Sequence, residues 1–168
     1  MIEIKVKDEA LMNAASQGMD EFIQVFVDAI RQAIGGTLNG DNIGLLNSEQ
    51  VTLLGYAMLR EEVMDGGFVQ LIHNGYGPFF FRNPFAYAIK QWGLADLSKL
   101  IYKAKKLYTK KGNEIEKDCT DEAFMALFEQ FPEFDALDDI FVENEEEWTE
   151  CVAQYVDEHI ENFATIEK

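Results

Sequence analysis

Cysteine, proline and positive charge are scarce in this chain of 168 residues. Its two cysteines, Cys119 and Cys151, are too few for a disulfide framework. No run of apolar residues approaches the roughly 18 that a membrane-spanning helix needs. The first residues alternate apolar and charged side chains, whereas a signal peptide has a continuous apolar stretch. We therefore expect a cytoplasmic protein with no membrane segment.

Residues that carry catalysis or bind metals are also few. The residues three positions before the two histidines, His73 and His159, are Gln70 and Val156, so the Glu-x-x-His pattern of di-metal bundles is absent. The His-Glu-x-x-His, Cys-x-x-Cys, phosphate-loop and nucleophile-elbow motifs are absent as well. We predict no metal site, no cofactor and no catalytic residue. An enzyme with an unfamiliar site remains an alternative.

Negative charge is in excess, and nearly all of the excess lies at one end of the chain. The 31 acidic and 14 basic residues give a formal net charge of −17. Residues 1–111 contain 12 of each and are neutral, whereas residues 112–168 contain 19 acidic and 2 basic residues. Phosphate contacts require clustered positive charge, so this composition argues against direct binding of nucleic acid.

The acidic segment 112–168 is predicted to be folded. A disordered acidic tail contains few aromatic residues, because it has no core in which to bury them. This segment contains many large apolar side chains, namely Phe124, Leu127, Phe128, Phe131, Phe134, Phe141, Trp148, Tyr155, Ile160 and Phe163.

Apolar residues at three- and four-residue spacing, interrupted by glycine and proline, predict an all-α fold of about seven helices. The alternation over 2–6 is compatible with a short N-terminal strand. No linker is long enough to separate two domains, so 1–168 is predicted to be a single compact domain. The predicted helices cover about 22–34, 48–64, 84–93, 95–111, 121–131, 133–141 and 145–163. Predicted N-terminal caps are Asn47 or Ser48, Asn83 and Thr120, and predicted terminating glycines are Gly35, Gly93 and Gly112.

An ordered set of motifs lies between residues 47 and 163. Asp65-Gly66-Gly67-Phe68-Val69-Gln70 is followed by Asn74, by an alanine-containing helix that ends at Gly93, and by a Leu-Asp-Asp-Ile-Phe element over 137–141. The last predicted helix is rich in aromatic residues. In this order the motifs resemble the bacterial DNA-mimic protein family, whose helical domain carries a Gly-Gly-Phe-x-Gln signature. The resemblance implies an acidic helical protein that imitates DNA and binds a DNA-binding protein.

The signature residues have a sufficient structural explanation. Gly66 and Gly67 are suited to ending a helix and turning the chain tightly, because glycine adopts the left-handed conformation readily. Phe68 is then placed to pack against the helix just ended. The amides of Gln70 and Asn74 are expected to bind backbone groups in the turn. We assign these five residues to structure rather than to partner binding.

The C-terminal carboxylates have a linear density close to that of DNA phosphates. Seven of them fall within 16 residue steps, or about 24 Å of helix, which is about one charge per 3.4 Å. One DNA strand carries one phosphate per about 3.4 Å. The seven are Glu145, Glu146, Glu147, Glu150, Asp157, Glu158 and Glu161. The second strand would be imitated by a second copy in a homodimer, or by Asp121, Glu122, Glu129, Glu133, Asp135, Asp138 and Asp139.

We therefore predict a non-enzymatic acidic protein that occupies the DNA-binding surface of a basic partner, such as a transcription regulator. The alternative is an immunity-type inhibitor of a toxin nuclease, which would use the same surface. The lysines at 99, 103, 106 and 110 form a predicted helix face that is either solvated or paired with acidic residues. The predicted partner-binding residues are Glu146, Glu147, Glu150, Asp157, Glu158, Glu161, Asp138 and Asp139.

Overall fold

The computed structural model describes residues 2–117 and 119–168, excluding the side chain of Phe128, and confirms the all-α class. In this described part eight α-helices and two short strands occur. None of these helices is both long enough and apolar enough to span a membrane. The elements are β1 (Lys5–Lys7), α1 (Asp8–Gln17), α2 (Met19–Ile34), α3 (Ser48–His73), α4 (Gly77–Phe81), α5 (Phe85–Gln91), α6 (Ala95–Ile115), α7 (Asp121–Gln130), α8 (Asp135–Glu158) and β2 (Thr165–Glu167).

The described residues group into two compact units. Unit 1 contains the chain up to Ala57 together with Glu146–Lys168, and unit 2 contains Met58–Glu145. Both α3 and α8 begin in one unit and end in the other. That residues 1–168 form a single domain stays a prediction.

A small parallel sheet joins the two ends of the chain in unit 1. The predicted N-terminal strand is present as β1, which pairs with β2 so that Val6 lies opposite Ile166. The backbone N–H of Thr165 donates a hydrogen bond of 2.7 Å to the carbonyl of Ile4. The prediction of a helix to residue 163 is therefore wrong at its end. After Glu158 the chain forms only a single 3-10 turn before β2, and this pairing could not be read from local periodicity.

Helix α2 supplies much of the core of unit 1. It ends at Gly35, which has the left-handed φ of 84° predicted for a terminating glycine. Phe26 is fully buried and makes edge-to-face contacts with the rings of Phe22 and Phe163, at centroid distances of 5.4 and 6.3 Å. The buried residues of α2 recur at the helical period and are Phe22, Ile23, Phe26, Val27, Ile30 and Ile34.

Helix α1 was not predicted. Leu11 and Ala14 are its only buried residues within the described part, and Met12 is 66% exposed. Two buried positions in ten residues give a pattern too weak for recognition from apolar spacing. Asp8 and Glu9 in its first turn are favourably placed for the helix dipole.

Helix α8 is a single helix where two were predicted. The predicted break near 142–144 carries polar or exposed residues, and Asn144 donates its side-chain amide to the carbonyl of Ile140, four residues earlier, at 2.8 Å. Val142 and Glu143 are exposed because they lie on the outer side of a continuous helix. The polar stretch therefore marks a face of the helix rather than its end.

Helix α6 passes through Gly112, although this glycine was predicted to end it. A Cβ at Gly112 would lie 2.6 Å from Cδ1 of Tyr108, so the absence of a side chain lets this ring pack against the helix backbone. Ile115, in the following turn, is fully buried. Burial of that turn outweighs the roughly 1 kcal/mol that glycine costs within a helix.

Of the three predicted N-terminal caps, those of α3 and α7 are confirmed and that of α5 is wrong. Thr120 caps α7, since its hydroxyl accepts a hydrogen bond of 3.1 Å from the N–H of Ala123. Asn47 and Gln50 form a reciprocal capping box at the start of α3, with hydrogen bonds of 2.8 and 3.0 Å. The prediction for Asn83 is wrong. Its side chain donates to the carbonyl of Pro78 at 3.4 Å, and α5 begins without a side-chain cap.

Candidate protein-binding surface

The unit 1 part of α8 is fixed by residues along its inner side. Trp148, Val152 and Val156 are buried at four-residue spacing. Thr149 is also buried, and its hydroxyl lies 2.7 Å from the hydroxyl of Tyr56. These contacts set the rotation of the helix about its axis. They therefore decide which of its carboxylates face solvent.

Five carboxylates lie on the solvent-exposed side of this segment: Glu146, Glu147, Glu150, Asp157 and Glu158, called here the α8 acidic face. They span 12 residue steps, or about 18 Å at 1.5 Å per residue. That is about one charge per 3.6 Å, close to the spacing of about 3.4 Å between the phosphates of one DNA strand. The density predicted from the sequence persists after buried Glu145 and Glu161, which lies beyond the end of α8, are left out of the count.

Glu161 is exposed in the 3-10 turn Ile160–Asn162 that follows α8. The end of this turn is attached to the start of α3. The amide of Asn47 donates to the carbonyl of Asn162 at 2.8 Å, and the amide of Gln50 donates to that of Phe163 at 2.9 Å. These two hydrogen bonds hold the backbone beside Glu161 in place.

Glu145 was counted in the predicted charge density but does not belong to this surface. It is only 7% exposed and forms an ion pair with Arg60 within unit 2. Its position on α8 falls on the same side as buried Trp148 and Val152, since three- and four-residue spacing brings residues to one face. The helical period alone would have placed Glu145 inward.

Asp138 is likewise engaged within unit 2 rather than free to meet a partner. One of its carboxylate oxygens accepts a hydrogen bond of 2.8 Å from the backbone N–H of Phe68. Burial raises the pKa of Asp138 to about 6, and the nearby charges of Asp135 and Asp139 add to the rise, although the Phe68 hydrogen bond opposes it. Asp139, the other predicted partner-binding residue of this element, is exposed.

Asp138→Asn is expected to stabilise the protein at pH 7.5 and to have little effect near pH 4. The folded protein holds a proton on Asp138 up to about pH 6, whereas the unfolded chain releases it near the ordinary value of 3.8. The contribution of this group to the free energy of unfolding therefore falls as the pH rises from about 4 to 6. Thermal unfolding at the two pH values measures the effect. A variant less stable than the parent at pH 7.5 would contradict it, and Asp139→Asn is the exposed control.

The break predicted at the Gly-Gly-Phe segment is present as a bend inside α3, but the helix predicted to end near residue 64 continues on both sides of it to His73. Gly67 has φ 74° and ψ −175°, which interrupts the helical backbone, and Phe68 is fully buried. The prediction that Gln70 and Asn74 bind backbone groups is wrong. Both donate to Glu62, at 2.9 and 3.0 Å, and Gln70 also lies 3.0 Å from the carboxylate of Asp65. The amides thus stabilise negative charge beside the bend, and all these contacts are internal to unit 2.

A groove of about 270 Å³ lies beside the α8 acidic face in unit 1. Glu150 and Asp157 line one side of it, and α1 and α2 contribute Ala15, Met19 and Phe22 to its lining. Met19 is 52% exposed, a large apolar surface for a methionine. The sequence reasoning missed this groove, because it depends on the position of α1, which was not predicted.

The negative charge of the α8 acidic face affects a neighbouring thiol. Partial burial raises the pKa of Cys151, and the charges of Glu147 and Glu150 raise it further. A thiol with a raised pKa is a poor nucleophile at neutral pH. Cys151 therefore lacks the lowered pKa that marks a reactive cysteine.

The two histidines and the nearby polar groups take part in packing. His159 stacks on Tyr155 at a centroid distance of 4.1 Å, and His73 lies 4.5 Å from the ring centroid of Phe124. The hydroxyl of Tyr155 donates to Glu49 at 3.0 Å, and burial together with this carboxylate raises the pKa of Tyr155 to about 12. Across residues 2–117 and 119–168 no group of three or more histidine, cysteine or carboxylate side chains is arranged to hold a metal ion.

Comparison with known proteins supports the resemblance found in the motifs. Residues 44–159 match the family described as DMP19-like protein. The chain is also 36% identical over 127 residues to a protein of Neisseria meningitidis serogroup B named DNA mimic protein DMP19. That alignment covers 75% of this chain and 77% of the relative. The resemblance to DNA-mimic proteins is therefore confirmed, and the chain belongs to the DMP19-like protein family.

Proposed function

We propose that this protein is a DNA mimic that binds the DNA-binding surface of a basic partner protein and thereby blocks it. The observation that carries the proposal is the α8 acidic face, with a mean of one charge per about 3.6 Å of helix. A surface that normally grips DNA presents lysine and arginine side chains at the spacing of phosphates. The relative named a DNA mimic protein adds weight to this proposal.

The proposed mechanism is binding through electrostatic complementarity, with no catalytic step. Carboxylates on a helix whose inner side is packed need little reorganisation on binding, so the partner meets a preformed array of charge. Charge complementarity chiefly speeds association and selects partners. The adjacent groove offers apolar surface at Met19 and Phe22, which would slow dissociation once the partner has docked.

The partner class that we propose is a transcription regulator. A toxin nuclease would present a similar basic surface, so identification of the captured partner separates the regulator from the immunity-type alternative. A homodimer remains a further part of the proposal, because a second copy is one source of the second row of charge. Sedimentation velocity measures that oligomeric state directly.

The test is capture of partners from the native lysate with two matched baits. Both baits lack three carboxylates of unit 1. The first carries Glu146→Gln, Glu150→Gln and Asp157→Asn on the α8 acidic face. The second carries Glu9→Gln, Asp41→Asn and Glu167→Gln, which are exposed elsewhere in unit 1.

The expected result is a DNA-binding protein retained by the unaltered chain and by the second bait, but weakly by the first. Duplex DNA should compete with the capture, and high salt should abolish it, because screening weakens contacts between exposed charges. Equal capture by both baits, or capture insensitive to duplex DNA, would contradict the proposal.

The purified protein itself is expected not to bind duplex DNA. Its formal charge of −17 repels the polyanion at the low salt concentrations where non-specific binding is strongest. An electrophoretic mobility-shift titration at about 50 mM salt measures this directly. A salt-sensitive shift of the duplex by the protein alone would refute the expectation.

A further inference from the structure

A pocket of about 360 Å³ opens in unit 2, at a site separate from the α8 acidic face. Residues 80–84, 86 and 87, from the end of α4 into α5, form one part of its lining, and α6 forms the other. The lining includes Phe80, Phe81, Ala86 and Ile101, each at most 5% exposed. These buried residues form the floor of the pocket, and its volume lies within the range of small-molecule sites.

Two cationic side chains, Arg82 and Lys105, also line the pocket, and no carboxylate does. Among the described residues neither cation has a carboxylate oxygen within 4.0 Å, although the chain has 31 acidic residues. The guanidinium carbon of Arg82 lies 5.7 Å from the centroid of the Tyr108 ring, which limits its orientations. This arginine is therefore held in place while its hydrogen-bond donors stay available to an anion.

Two tyrosines of the pocket expose their rings to solvent. Tyr87 is 60% exposed and Tyr102 is 46% exposed. Within the described part of the chain neither hydroxyl makes a hydrogen bond. An exposed aromatic face beside a cation is the arrangement with which proteins stack planar rings that carry negative charge.

We propose that this pocket binds a small anionic ligand that contains a planar ring. Arg82 and Lys105 bind the anionic group, and Tyr87 or Tyr102 stacks on the ring. Two sources share this chemistry: a nucleoside monophosphate and an aromatic carboxylate. The proposal rests on unit 2 alone and does not depend on the DNA-mimic function proposed above.

The test is titration calorimetry of the full chain with four probes: adenosine 5′-monophosphate, adenosine, benzoate and inorganic phosphate. We expect the monophosphate or benzoate to bind with a dissociation constant below about 1 mM. Adenosine and phosphate should bind at least about tenfold more weakly, since each lacks one of the two recognised groups. The tighter of the first two probes identifies the ligand source.

Arg82→Gln and, separately, Lys105→Gln should weaken that binding about tenfold. Lys99→Gln is the matched control, because it removes the same charge from an exposed position of α6 outside the pocket. Circular dichroism checks that each variant is folded, and Lys105→Gln keeps the test valid if Arg82→Gln disturbs Tyr108. Absence of binding by both ring-containing anions at about 10 mM would overturn the proposal. An equal loss in Lys99→Gln would overturn it too.

Discussion

Neutralising Glu146, Glu150 and Asp157 should weaken binding of the partner about tenfold to a hundredfold at low salt. Each exposed ion pair contributes about 0.2–1 kcal/mol, so the loss of three costs about 0.6–3 kcal/mol. A tenfold to hundredfold loss of affinity corresponds to about 1.4–2.7 kcal/mol, in the upper part of that summed range. The variant Glu146→Gln, Glu150→Gln, Asp157→Asn keeps side-chain size and helical preference nearly unchanged. Surface plasmon resonance at several salt concentrations should show a slower association and a flatter salt dependence.

The control is the variant Glu9→Gln, Asp41→Asn, Glu167→Gln, which has the same total charge. Its affinity should stay within about threefold of the parent, because those carboxylates lie on α1, on β2 and in the loop after α2 rather than on α8. Equal losses in both variants would mean that net charge, and not the α8 acidic face, attracts the partner. Melting temperatures of both variants should remain close to that of the parent, since all six carboxylates are exposed.

Gly67→Ala should lower the free energy of unfolding by about 2–4 kcal/mol, for two separate reasons. The backbone of Gly67, at φ 74° and ψ −175°, lies in a region that residues with a Cβ rarely adopt. A Cβ there would also overlap the carboxylate of Asp138, 2.7 Å from its Cγ, and push it away from the N–H of Phe68. Denaturant unfolding followed by circular dichroism measures the loss.

Gly75→Ala separates these two costs. Gly75 also has a positive φ, of 90°, but a Cβ added there meets no atom within 4 Å. Its substitution should therefore cost only the backbone strain, about 1–2 kcal/mol. If Gly67→Ala is no more destabilising than Gly75→Ala, the close approach of Asp138 to the bend does not contribute to stability.

The charge distribution was readable from the sequence because it is a property of composition along the chain. The density estimate required only the rise of a helix and the positions of the carboxylates. It was inaccurate in counting Glu145, which the helical period places on the side of Trp148. Asp138, one of the residues predicted to bind the partner, also makes an internal hydrogen bond with the backbone of Phe68. Both carboxylates are satisfied by groups distant in sequence, Arg60 and the N–H of Phe68, and no local pattern predicts such partners.

The unit 2 pocket and the unit 1 groove show a second limit of sequence-based prediction. Residues of the unit 2 pocket come from the end of α4, the turn after it, α5 and α6. Helices α5 and α6 were predicted, yet neither apolar spacing nor charge shows that Arg82 and Lys105 line one cavity. The groove of unit 1 requires α1, whose two buried residues are too few to reveal it. A cavity is defined by surfaces that do not touch, so it leaves no periodic signal in the sequence.

Sequence alone determined the helical class, the bend at Gly66-Gly67, the cap at Thr120 and the acidity of residues 112–168. Each depends on neighbouring residues, through helical period, backbone freedom of glycine or simple composition. Tertiary structure decided that α6 continues through Gly112, that α8 is unbroken, and that β2 pairs with β1. In these places burial of Ile115, packing along α8 and hydrogen bonds between the chain ends outweigh the local preference, because their free energy comes from residues far away in sequence.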